Sequence, residues 1–121
     1  MAELTKQEVH NLGMNTVGDY LESQQFEFLA ISSDLKTNPQ FICRNQQKQL
    51  FFVLVNIALY PTEPGRYDSI WMESMKKHAR EKEARLLFAS VGLANARDLE
   101  HPLSRNDDYV VKFDKPIEIK L

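Results

Sequence analysis

The sequence predicts a single α/β domain. Its expected core is a mixed sheet of about five strands with helices on both faces, a three-layer α/β/α arrangement. Three observations lead there. The chain has 121 residues, which is enough for one core and too little for two. Leu50 to Leu59 is apolar on both alternating faces, the pattern of a central strand covered on each side. A helix-spaced segment near 69–84 runs straight into the apolar stretch Arg85 to Val91, as expected for a crossover that returns to a parallel neighbour.

Each element has its own local signal. Thr5-Lys6-Gln7-Glu8 fits a capping box, in which a threonine hydroxyl and a glutamate exchange hydrogen bonds with the first turn. Val9, Leu12, Val17, Tyr20 and Leu21 then recur at helical spacing, so a helix is predicted over about 6–24. Gly13 and Gly18 weaken it by up to ~1 kcal/mol each relative to alanine unless close packing needs them. Phe26 to Ser33 is rich in strand formers, and 33–39 reads as a polar loop. Phe41-Ile42-Cys43 is a short strand joined to Leu50–Leu59 by a hairpin connection. Pro61 and Pro64-Gly65 stop the long strand. Asp68 or Ser69 caps the second helix, with Trp71, Met75 and Ala79 expected on one stripe. Ala94 to Glu100 is expected to form a short helical turn. Tyr109 to Phe113 is the last full strand, and Pro116 places Ile117-Glu118-Ile119 at an edge.

Composition excludes several functional classes. The net charge is −2, which argues against a histone-like grip on nucleic acid but allows a local basic patch. Cys43 is alone, so no intramolecular disulfide and no cysteine-based zinc site can form. His10, His78 and His101 fall in different predicted elements without ligand spacing, and no phosphate-binding glycine loop occurs. No metal and no cofactor is expected. The first residues lack a charged n-region followed by an apolar stretch, and the longest apolar run is half of a membrane span. The expected location is therefore the cytoplasm, without membrane association.

The order of elements and the residues on them resemble the restriction-endonuclease-like superfamily, the PD-(D/E)XK nucleases. The nearest likeness is to small bacterial proteins of the Holliday-junction-resolvase kind. The first helix closes with Tyr20-Leu21-Glu22, and the next strand opens with Phe26-Glu27-Phe28-Leu29. The family's Asp-bearing strand is matched by Asn38-Pro39-Gln40-Phe41-Ile42. Its Glu-and-Lys strand is matched by Phe52-Val53-Leu54-Val55-Asn56. The resemblance implies a site in which an Asp and a Glu bind Mg²⁺ and a Lys two residues after the Glu activates water. Residues i and i+2 of a strand share a face, which is why that spacing serves. Here the matching positions hold Gln40 for the Asp, Leu54 for the Glu and Asn56 for the Lys. Met14 stands where the family has an accessory helix Glu. These four are degenerate nuclease-site positions, since Mg²⁺ requires hard oxygen ligands.

Plainer readings accompany these. Leu54 and Met14 suit a core, Gln40 suits a solvated strand start, and Asn56 needs a hydrogen-bond partner to be buried cheaply. Cys43 suits an inert small hydrophobe, and Asp107-Asp108 a solvated turn. Lys76, Lys77 and Arg80 form the one basic-leaning helix face, a candidate phosphate contact diluted by Glu81 and Glu83. Trp71 and Met72 cannot both face one core, so one is expected at a partner surface, for another protein or a symmetric dimer. The reading that follows is a non-catalytic interaction module on a nuclease-like fold, with nucleic acid or another protein as partner. The competing reading is a divergent Mg²⁺-dependent nuclease with carboxylates relocated to Asp19, Glu22, Glu27 or Asp34.

Overall fold

The computed structural model describes residues 3–35, 37–63 and 65–121. Lys36 of the predicted polar loop and Pro64 of the predicted strand stop lie outside the described residues, as do Met1 and Ala2. Helix α1 spans Lys6–Ser23 and opens with the expected capping box. The Glu8 N–H donates to Thr5 Oγ1 at 3.1 Å, and the Thr5 N–H donates to Glu8 Oε1 at 2.9 Å. Strands β1 (Glu27–Ile31), β2 (Phe41–Arg44) and β3 (Leu50–Leu59) follow, then α2 (Ser69–Glu81) and β4 (Arg85–Asn95). Strands β5 (Tyr109–Lys112) and β6 (Ile117–Ile119) complete the chain.

The result is one mixed sheet with the order β1-β2-β3-β4-β5 and β6 also paired to β4. The β1–β2 and β2–β3 pairs are antiparallel, and β3–β4 is parallel. The predicted five strands become six because the last sheet position is shared. β5 runs along Gly92–Asn95 of β4, and β6 runs along Leu86–Phe88 of the same strand. Pro116 falls between them, where its missing N–H breaks the ladder.

The alternating pattern of β3 accounts for the placement of both helices. Phe51 and Val53 join Val9, Met14, Val17 and Leu21 of α1 in one cluster. Phe52 and Leu54 join Met72 and Ala79 of α2 in another. Cys43 is buried in the α1 cluster, where desolvation pushes its thiol up to about 11. No helix among the described residues is long and apolar enough to cross a membrane.

Three local expectations are corrected. Ala94 to Glu100 forms no helical turn, because β4 continues through Asn95 and pairs with Tyr109. The buried Asn95 amide donates to Pro102 O and to Asp107 Oδ2, both at 3.2 Å, and its Oδ1 accepts from Arg97 N–H at 2.9 Å. Such a side chain competes with helix for the local backbone. Asp107 is therefore a turn anchor rather than a merely solvated residue, since it also accepts from Ser104 N–H at 2.9 Å. On α2 the fully buried pair is Met72 and Ala79, with Trp71 and Met75 at the rim of the cluster. Neither Trp71 nor Met72 is exposed; the exposed large hydrophobic residue of that helix is Ile70, at 81%.

Gly13 is where α1 approaches β3. A Cβ there would stand 2.2 Å from Ile57 Cγ1 and 2.4 Å from its Cδ1, whereas one at Gly18 would meet Phe41 at 3.7 Å. Both alanine variants gain the same helix propensity of ~1 kcal/mol, but only Gly13→Ala overpacks a stiff β-branched neighbour. In urea denaturation Gly18→Ala is expected to be neutral or stabilising. Gly13→Ala should fall below it by about 1–3 kcal/mol. Adding Ile57→Ala should make the Gly13→Ala cost markedly smaller, a non-additivity that marks direct contact. Equal stabilities for the two alanine variants would contradict the packing described.

Candidate functional site

The two neighbours of β3 differ in length. β4 accompanies it from Phe51 to Leu59, but β2 pairs only with Leu50 to Val53. Gln40 is the last tie on the β2 side. Its N–H donates to Val53 O at 3.0 Å, and its C=O accepts from Ser32 N–H at 2.8 Å. Beyond that point β3 runs on without β2, and a cleft of about 330 Å³ opens beside it. Leu35, Asn38 and Gln40, the start of α1, the segment before α2 and the β3 end all contribute walls. His10, Asn38, Gln40, Asn56, Arg66 and Trp71 are among the lining residues.

Gln40 and Asn56 therefore come together, as the resemblance implies for residues of one site. Gln40 is not a solvated strand start, because it is 98% removed from solvent at 2% exposure. Its Nε2 donates to Asp34 O at 3.3 Å, and its Oε1 is buried without a partner among the described residues. Asn56 is half-buried, and its Nδ2 donates to Arg66 O at a long 3.4 Å. Leu54 does not line the cleft. It is wholly buried in the α2-side cluster. Met14 is also core, 5% exposed, and borders a different groove with Asp19 and Glu22.

The residue that α1 brings to the cleft is His10, one turn before Met14 and on the same face. It is buried, and its Nε2 has no hydrogen-bond partner. Desolvation lowers its pKa from the ordinary value of 6.5, favouring neutral imidazole. The available signal was its place as the one ionisable side chain on the stripe Val9, His10, Gly13, Met14, Val17 and Leu21. His78 instead packs its ring against Phe52 at 5.1 Å.

The remaining candidates are dispersed. Glu27 is held by Arg44 through two hydrogen bonds of 2.7 and 3.0 Å, and that guanidinium lowers its pKa. Asp34 reaches Gln40 through its backbone carbonyl. Among the described residues, no group of three or more His, Cys, Asp or Glu is arranged to hold a metal ion. Lys76 is paired with Glu73 at 3.1 Å, while Lys77 and Arg80 are exposed. None of these three cations lines the cleft.

The model of a domain of unknown function (DUF8840) matches residues 7–119, and the chain belongs to that family. No curated protein and no solved structure matches the chain.

The burial of His10 has a consequence for stability. The folded state disfavours its charged form, so the unfolded chain binds a proton more readily below pH 6.5. The contribution is fully present above that value. It is lost as pH falls from there toward the depressed folded pKa, and levels off below it. Urea midpoints of the unmodified protein should therefore drop more on acidification from about pH 7.5 to about 5.5 than those of His10→Gln. Parallel pH dependences would place His10 in a solvated setting instead.

Proposed function

We propose that this domain is a non-catalytic binding module on a restriction-endonuclease-like scaffold, with nucleic acid as its partner. The scaffold reading draws support from the order of elements, the β2–β3 hairpin and the α2 crossover to a parallel β4. It also draws support from one helix packing on each side of the sheet.

One observation carries the functional reading. Gln40 and Asn56 meet at one cleft, where the resemblance puts an Asp and a Lys, and neither is a carboxylate. Leu54, at the Glu position, is sealed in the core. Mg²⁺ is bound mainly through carboxylates, and among the described residues lining the cleft the one of fixed charge is the cation Arg66. That chemistry suits hydrogen bonding to a ligand and opposes a divalent metal. Lys77 and Arg80 supply exposed positive charge on α2, available for phosphate contact that positions a strand without reading it.

The test is incubation of the protein with branched, single-stranded and duplex DNA in Mg²⁺ or Mn²⁺, beside a binding titration. The substrates should remain intact, while binding weakens steeply with salt as phosphate counterions are released. Replacing Lys76, Lys77 and Arg80 together by alanine should weaken binding by a similar factor for every sequence. Metal-dependent cleavage would overturn the non-catalytic reading. Absence of any shift at ~50 mM salt, where such contacts are strong, would remove nucleic acid as the partner.

A further inference from the structure

Two buried polar atoms of residues lining the cleft lack partners among the described residues: Gln40 Oε1 and His10 Nε2. A hydrogen bond left unmade at such atoms costs about 1–3 kcal/mol, so a ligand that completes them gains over the free site, where water is the alternative partner. Gln40 Oε1 can only accept, so it asks for an N–H or O–H. A neutral imidazole Nε2 either donates or accepts, according to its tautomer. A planar edge that carries a donor beside an acceptor supplies a partner of the right kind for each. Carboxamides use that geometry to read amino-bearing bases. Trp71 and Arg66 also line this cleft, offering an aromatic ring for stacking and a cationic side chain for phosphate. Its volume of about 330 Å³ lies at the small end of ligand sites, which run from ~300 to ~1,000 Å³.

We infer that the cleft takes an amino-bearing nucleobase with its phosphate, the exocyclic amine donating to Gln40 Oε1, the ring edge meeting His10 Nε2, and the phosphate facing Arg66. The inference rests on the non-catalytic binding reading and names the ligand of that site. Both atoms are buried, so in this proposal the Gln40 carboxamide and the His10 ring turn about their soft terminal torsions when the ligand enters. The long bond from Gln40 Nε2 to Asp34 O, 3.3 Å, is then exchanged for one to the ligand. Base–aromatic stacking is tolerant of sequence, so Trp71 adds affinity and the Gln40 contact adds selectivity.

Trp71 is the sole tryptophan and borders the cleft, so its fluorescence reports occupancy. The probes are cytidine and uridine monophosphates, which differ in having an amine or a carbonyl at one ring position. Short single-stranded oligonucleotides of the same bases form a second arm that separates a free nucleotide from a base presented by a strand. Cytidine should quench Trp71 at about tenfold lower concentration than uridine, in one arm or both. Gln40→Leu removes the unpartnered acceptor together with one long hydrogen bond to Asp34 O, so it should still fold and should abolish that preference. His10→Phe should weaken binding of the cytidine probe. If Gln40→Leu fails to fold, the cytidine-over-uridine preference of the unmodified protein decides alone. Equal quenching by both bases, or none up to about 10 mM, a concentration that reveals even a millimolar site, would overturn the inference. Cleavage of the oligonucleotide in Mg²⁺ would overturn the non-catalytic reading while leaving a base preference intact.

Discussion

The unequal neighbours of β3 determine both the core and the cleft. Its parallel pairing with β4 runs from Phe51 to Leu59 and exposes two apolar faces that must both be covered. A parallel pair needs a crossover, and α2 provides it while covering the face of Phe52 and Leu54. The opposite face is covered by α1, whose close approach requires a residue without a side chain beside Ile57. The antiparallel partner β2 ends early, so the second half of β3 has a ladder on one side only. Loop and helix residues fill that side incompletely, and polar side chains collect there because backbone and side-chain groups at a strand end need hydrogen-bond partners.

The cleft owes its character to neutral groups. A carboxylate at the Leu54 position would be buried among Met72, Leu86 and Phe88, where an ionised group without a partner is strongly unfavourable. Carboxamides at Gln40 and Asn56 avoid that penalty, and burial keeps His10 toward its neutral form. On the proposed reading, the site discriminates by hydrogen-bond direction and shape. Arg66 adds attraction for an anion without providing a ligand for a cation.

Much of the scaffold was legible in the sequence. The capping box at Thr5 and Glu8, the apolar run of β3 and the Asp68 cap of α2 are short-range signals with one structural meaning, and all three elements form there. The meeting of Gln40 with Asn56 was legible through the hairpin that joins β2 and β3. Other features depended on tertiary context. β4 outlasts its predicted end because β5 pairs with Asn95, and no local pattern reports a distant strand. Trp71 and Met72 are adjacent, so periodicity left their facing undecided until Met72 was seen within the α2 cluster. His10 escaped because its importance arises from where β2 stops, not from the spacing of histidines. Met14 was legible as core, because it stands on the apolar stripe of α1 and packs into the cluster beneath that helix.

The central claim is that this cleft is a hydrogen-bonding site and not a metal site. Paramagnetic Mn²⁺ tests it most directly, because a bound ion broadens the NMR signals of nuclei around it. Titration of Mn²⁺ into isotopically labelled protein should leave the Gln40 and Asn56 side-chain amides and the His10 ring signals sharp through the micromolar range, with only weak, non-saturating broadening at millimolar metal, in keeping with the oxygen-ligand demand of such ions. Saturable broadening centred on those residues at micromolar Mn²⁺, and lost in Gln40→Leu, would contradict it.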